Sequence, residues 1–345
     1  MATCEDGSLR GYPSQTISTP AMPDAAHRFS FAERMSYLRK YGSHCMSYST
    51  LQPGMKYFDI PGKGFISYTC QWGIRAVLAD PVCDVRDREA MIAAFLQNKM
   101  CTGFAQVSPP VADLLHEKFG FYATQFGVES IVDLRNWDLK GKKKQVVRTS
   151  VNQAVKKGIT IEENCHEDRY RKLSEQWVKT RKVKNREIRF LIRPMNMKHQ
   201  EETRRFFAYL DGQLVGFIFF DPLYADGRII GYVPNISRFA ETFRQGIFYA
   251  IMVHAMETFK QEGLSELHLG LSPFVVVDKK RPYETGLIKK LLRLLFEHGN
   301  GIYSFRGIYF TKSRFGGKDR ETFCCHKGKF PFREIITLFR ISNLI

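Results

Sequence analysis

His268 stands in the run Leu267-His268-Leu269-Gly270-Leu271, where leucines alternate with other residues. A period of two marks a strand with one face buried, and imidazole is the side chain that most readily trades a proton near neutral pH. Two readings stay open for it: a general base, or a histidine held by hydrogen bonds inside the layer. His254 falls on a helical apolar face and is read as packing. A second place for chemistry is Thr242-Phe243-Arg244-Gln245-Gly246-Ile247-Phe248, just ahead of a helix, because successive N–H groups at a helix start attract phosphate. Gly246 is the one glycine there that lets a pyrophosphate approach the backbone, Phe248 is bulky, and Arg244 supplies a cation. The eight cysteines show no C-x-x-C spacing, so neither a zinc site nor a disulfide framework is expected, and reduced thiols fit a cytosol.

Lys and Arg number 52 against 35 Asp and Glu, a formal charge of +17. Such a field gathers polyanions: RNA, anionic lipid or a phosphorylated cofactor. The cations crowd between Lys140 and Arg193 and include Lys142, Lys143, Lys144, Arg148, Lys156 and Lys157. A solvated helix face explains any one of them, whereas the density of the stretch argues for a polyanion surface. No apolar run approaches the roughly 20 residues of a membrane span.

These residues need elements to position them. At 345 residues the chain suits two domains. Residues 1–28, rich in Ser, Thr, Pro and Gly, read as a flexible leader. Phe29 to Lys40 reads as a helix, followed by short strands near His44–Leu51, Lys56–Ile60, Gly64–Gln71 and Ile74–Ala79. Helices at Asp87–Gln97 and Val111–Lys118 alternate with strands at Thr102–Val107, Phe121–Phe126 and Ser130–Leu134. Val146, Val147, Val151 and Val155 place an apolar stripe on a basic helix, and a further helix is expected over Asp168–Arg181. The connection Arg181–Arg193 looks too polar for a core and is expected to be a mobile loop. Asp211-Gly212 makes a hairpin of Phe206–Leu210 and Gln213–Phe220. A third strand, Arg228–Val233, is expected to stop at Pro234, and a helix from Gly246 to Gly263 precedes the His268 strand. A helix over Tyr283–Glu297 and a strand over Ile302–Phe310 complete the pattern. In the tail, Phe330–Ile345 forms an apolar and basic helix that either packs on the C-terminal domain or lies in a bilayer interface.

Hairpin, third strand, helix and parallel strand is the order of the acetyltransferase-type (GNAT-like) α/β fold. That fold binds its donor where the third strand and its parallel neighbour splay, here near Pro234 and Pro273. The runs Gly231-Tyr232-Val233-Pro234-Asn235-Ile236-Ser237-Arg238, Leu269-Gly270-Leu271-Ser272-Pro273-Phe274, Tyr303-Ser304-Phe305-Arg306-Gly307 and Lys312-Ser313-Arg314-Phe315 resemble the catalytic part of the lysylphosphatidylglycerol synthases (phosphatidylglycerol lysyltransferases). In the first half Ala79-Asp80-Pro81, Gly127-Val128-Glu129-Ser130 and Val147-Arg148 agree as well. The resemblance implies two tandem GNAT-like domains, 29–165 and 166–345, that move an amino acid from aminoacyl-tRNA to a hydroxyl or amine, with no cofactor. It implies catalytic positions at Arg238, Lys312, Asn235 and Glu129. It implies substrate-binding positions at Arg244, Gly246, Tyr232, Gly270, Ser272, His268 and Arg148. Asn235 stands where the family commonly has an acid. The implied partners are aminoacyl-tRNA with an anionic membrane lipid or a small molecule as acceptor, met in the cytoplasm or peripherally at the inner membrane face. An acyl-coenzyme A N-acyltransferase and a non-catalytic RNA- or membrane-binding protein are the alternatives.

Overall fold

The computed structural model describes residues 28–164, 167–179, 187–195, 198–240, 243–277, 281–284, 286–298 and 305–344. The first half begins with α1 (Phe31–Tyr41), where the Ser30 hydroxyl accepts from the Glu33 N–H and the Glu33 carboxylate accepts from the Ser30 N–H. Strands β1 (Lys56–Ile60), β2 (Gly64–Gln71) and β3 (Ile74–Leu78) run antiparallel, with the short β4 (Val82–Cys83) beside β2. Helix α2 (Arg88–Leu96) crosses over to β5 (Cys101–Val107), which lies parallel to β3. Helix α3 (Pro109–Phe119) opens on prolines and closes on Gly120 in the left-handed region. It leads into the twelve-residue β6 (Tyr122–Asp133). Two expectations change here. Residues 44–51 form turns and a single 3-10 turn at Tyr48–Leu51 in place of a strand, and the two strands expected over 121–134 are the one strand β6.

The second half starts at α4 (Gln145–Lys156), β7 (Thr160–Glu163) and α5 (Glu167–Lys179). On α4 it is Val147 and Ala154 that are buried, while Val146 and Val155 face outward, so the expected valine stripe is only partly the core face. Strands β8 (Arg204–Leu210) and β9 (Gln213–Ala225) form the hairpin on Asp211-Gly212, and β9 turns into β10 (Arg228–Phe239) at Asp226-Gly227. Both Asp-Gly pairs take the positive φ that such tight turns need. Helix α6 (Arg244–Gln261) buries Ile247, Ile251, Ala255 and Phe259 against the sheet, and β11 (Glu266–Pro273) returns parallel to β10. The chain closes with α7 (Gly286–His298), α8 (Phe305–Ser313), β12 (Lys318–His326) and α9 (Phe332–Ile341).

All these strands join one mixed sheet in the order β1-β2-β3-β5-β12-β6-β11-β10-β9-β8-β7. It consists of two GNAT-like units, β2-β3-α2-β5 and β9-β10-α6-β11, with their closing strands exchanged. β6, from the first unit, pairs with β11 of the second; β12, from the end of the chain, pairs with β5 of the first. β6 and β12 pair with each other at the centre.

Four further expectations are corrected. Phe305–Phe310 belongs to helix α8, not to a strand; residues 302–304 lie outside the described residues. β10 does not stop at Pro234 but bulges there and stays with β9 to Phe239, since a proline lacking one N–H is tolerated at a bulge. Within the supposed mobile connection, Phe190, Leu191 and Arg193 are buried, while residues 181–186 are outside the described set. Helix α9 packs Leu338 and Ile341 into one cluster with Ala76, Leu78 and Ala105 of the first half and Phe190 and Leu191 of the second, and Arg189 donates to the Ile341 carbonyl, so the tail bridges both halves rather than packing on the second alone.

Candidate active site

β10 and β11 pair only at Gly231 with Glu266 and Tyr232 with Leu267. Beyond that rung β10 follows β9 and β11 follows β6, so the sheet opens between them. Two backbone features drive the parting: the bulge at Pro234 on β10, and on β11 a bulge between His268 and Leu271, where Gly270 takes φ 69°. At the opening, the Lys312 amine of α8 donates to the Leu271 carbonyl at 2.7 Å. It lies 3.7 Å from where a Cβ on Gly270 would stand, and Val233 is equally close to that point. Burial pushes the Lys312 ammonium down to about 8, against the pull of Cys45 and Glu129.

Glu129 is the hub beside it. Its carboxylate accepts from His268 Nδ1 at 2.8 Å and from Arg320 Nη2 at 2.8 Å, and burial together with this carboxylate raises the proton affinity of the Cys45 thiol. The other ring nitrogen of His268 bonds Glu266 at 2.9 Å. Burial alone would raise the Glu129 carboxyl, but His268 and then Arg320 hold it below the usual carboxylate range. Burial would likewise lower His268, yet its two carboxylate partners hold it above its ordinary value. Each ring nitrogen thus faces a carboxylate, an arrangement that favours the protonated ring, and of the two readings left open for His268 the geometry fits the hydrogen-bonded one.

Arg320 reaches from Glu129 to a polar cavity of about 270 Å³ whose wall includes His44, Ser47, Asp80, Arg88 and Ser108. Asp80 accepts from the Ser108 N–H at 2.8 Å and from its hydroxyl at 2.6 Å. His44 Nδ1 accepts from the Met46 N–H, and burial keeps the ring neutral by lowering its proton affinity. The cavity and the sheet opening are therefore joined through one carboxylate and one guanidinium. Among the described residues no group of three His, Cys, Asp or Glu is placed to hold a metal.

The other expected site residues are dispersed. Asn235 donates to the Arg193 carbonyl at 3.3 Å, and Arg193 is locked in a buried ion pair with Asp221. Arg238 bonds Glu187 and lies 4.0 Å over the Trp177 ring. Four residues of strand lie between it and Val233, on the order of 15 Å from Cα to Cα, so its backbone stands further along β10 than the point where Lys312 and Val233 meet Gly270. Tyr232 is buried and stacked on Phe259 at 4.6 Å, which makes it core rather than a substrate contact. Ser272 is buried on β11, and its hydroxyl has no partner among the described residues. Gly246 is covered by Phe243, whose ring occupies the space a Cβ there would need, while Arg244 is exposed. Arg148 donates to the Leu139 and Gly141 carbonyls and holds the start of α4. His254 is exposed, its ring edge on Phe206, so it is not interior packing. Sequence reasoning missed Cys45, His44 and Arg320. The first two lie in a segment that reads as a strand, and Arg320 in one to which no element was assigned.

With this geometry, comparison with known proteins is decisive for the family. The pattern of the family "Phosphatidylglycerol lysyltransferase, C-terminal" matches residues 35–326, and the chain belongs to that family. The phosphatidylglycerol lysyltransferase of Bacillus subtilis (strain 168) is 22% identical over 325 residues, 91% of this chain but 37% of that protein. The chain thus spans little more than a third of that relative's length. Two solved structures share the fold: L-PGS from Bacillus licheniformis, with a TM-score of 0.74 at 19% identity, covering 92% of this chain and 96% of that one. The other is the C-terminal domain of a putative lysylphosphatidylglycerol synthetase from Agrobacterium fabrum, also at 0.74, with 20% identity and coverage of 91% and 97%.

Proposed function

We propose that this chain transfers an amino acid from aminoacyl-tRNA to a hydroxyl of an anionic lipid headgroup such as phosphatidylglycerol. The observation that carries the reading is Lys312, a lysine of lowered proton affinity whose amine has one protein partner among the described residues, at the point where the sheet parts. At pH 7 about a tenth of such an amine is neutral and able to accept a proton. In the proposed step the acceptor oxygen bonds to the ester carbonyl carbon as its proton passes to Lys312. The bond from that carbon to the tRNA ribose oxygen then breaks, and the ribose oxygen takes the proton back. The ester is already activated, so positioning and charge stabilisation suffice. The Glu129, His268 and Arg320 network fixes the floor on which this happens. Exposed Lys142, Lys143, Lys156 and Lys157 on and beside α4 supply cations for tRNA phosphates. The coenzyme A alternative is disfavoured by the Phe243 ring over Gly246, because that ring fills the approach to the α6 N–H groups.

The test is transfer of label from each charged tRNA into the organic phase, with phosphatidylglycerol vesicles as acceptor. Label should enter lipid with the wild-type protein and not with Lys312→Met. Transfer from acetyl-coenzyme A, with none from any charged tRNA, would establish the N-acyltransferase reading instead.

A further inference from the structure

The helix pair that delivers Lys312 also carries an outward face that the chemistry above does not use. On α7, Lys290, Leu291, Arg293, Leu294 and Glu297 are exposed along one arc, while Ile288 and Leu292 on the opposite side enter the core. Leu291 is 47% exposed and Leu294 54%, and on α8 Phe310 is 50% exposed beside Arg306. Internal contacts hold the pair in this pose: Phe305 against Phe274 at 4.8 Å and Tyr309 edge-on to Phe296. Phe310 and Lys312, two residues apart on one helix, point to nearly opposite sides. One helix thus faces solvent with an aromatic ring and the sheet opening with its amine.

We propose that the α7 and α8 face docks the protein on an anionic bilayer surface. Cations interleaved with exposed leucines and a phenylalanine suit a headgroup layer, which takes up both the charge and the apolar side chains. An RNA backbone would engage the cations alone and leave Leu291, Leu294 and Phe310 in water. Apart from Glu297, neither helix carries an acid. The surface deepens the lipid-acceptor reading, since a headgroup would be met by the helix that carries Lys312. Docking is nonetheless read without any charged tRNA, so it stands or falls separately from transfer.

The experiment is sedimentation of the full chain with phosphatidylglycerol and phosphatidylcholine mixed vesicles, and with phosphatidylcholine alone. The wild-type protein should pellet with the anionic vesicles and be released by salt. Leu291→Gln/Leu294→Gln/Phe310→Gln should weaken that binding at least tenfold, and so should Lys290→Gln/Arg293→Gln/Arg306→Gln. Phe332→Gln/Ile336→Gln, on the exposed side of α9, should bind as the wild type does. Thermal melts check each fold, and single Leu294→Gln and Phe310→Gln variants replace the triple one if it is unstable. Wild-type protein that stays in the supernatant, or binding lost only in the α9 variant, overturns the proposal. It is equally overturned if the basic variant loses tRNA and keeps vesicles, or if the apolar variant disperses a dimer without changing vesicle binding.

Discussion

Replacing Lys312 by methionine should abolish transfer and yet make the protein more stable at neutral pH. The ammonium falls from its ordinary 10.5 to about 8 because it is removed from water with one protein partner among the described residues. At about 1.4 kcal/mol per tenfold change in acidity, keeping it charged in the folded state costs about 3 kcal/mol. Methionine fills similar space without the charge, and loss of the bond to Leu271 returns about 1 kcal/mol of that. The net gain of about 2 kcal/mol at pH 7 corresponds, for a chain of this length, to a melting rise of about 3 °C. The sign with pH is fixed by linkage. Between about pH 8 and 10 the unfolded chain holds a proton at this lysine that the folded chain has lost, so wild-type stability from this group rises with pH. The lead of Lys312→Met should therefore shrink across that window and vanish near pH 10. Paired melts of the two proteins at pH 7, 8.5 and 10 read the difference directly. A variant less stable than wild type at pH 7, with a gap that does not change with pH, would show that the ammonium is not strained and would remove the basis for Lys312 as proton acceptor.

Four other outcomes are expected. His268 should titrate above its ordinary value in an imidazole NMR titration and drop on Glu129→Gln; its stabilisation is complete below about pH 6.5 and fades as pH rises through the raised value. Asp221→Asn should cost about 3–5 kcal/mol in chemical denaturation by stranding the buried Arg193 guanidinium, and Asp221→Leu with Arg193→Met should recover much of it. Gly231→Ala should lower the melting temperature sharply, because its Cβ would fall 2.0 Å from the Glu266 carbonyl at the first of the two rungs that join β10 to β11. Acetyl-coenzyme A should give no stoichiometric heat of binding in calorimetry; tight binding would mean that the Phe243 ring moves aside.

The parts of this architecture legible in the sequence were those set by local chemistry. Asp211-Gly212 and Asp226-Gly227 can hardly be anything but tight turns, and the leucines around His268 mark a half-buried strand. Phe305–Phe310 shows the limit. Aromatic and β-branched residues with no clear period suit a strand locally, and the helix exists because Phe305 packs on Phe274 and Lys312 reaches Leu271, contacts made across the chain. The same holds for the site. Glu129 and His268 were visible as candidates, but their joining to Arg320 depends on β12 lying beside β6, a pairing between residues nearly two hundred positions apart. Arg238 lies further along β10 than Val233 because the strand continues past Pro234, which its proline does not announce.

The exchanged closing strands bear on how the protein is made. During synthesis β5 emerges long before β12, its neighbour in the finished sheet, so one side of the first unit has to wait, unpaired, for nearly the whole chain. Pairings this distant slow folding and leave strand edges open to wrong partners. A polypeptide released early, with 1–300 complete and β12 missing, would expose the flanks of β5 and β6 together and should be found in inclusion bodies or with chaperones. Supplying 301–345 in trans should rescue it, since the missing strand has a slot between two edges that are already in place.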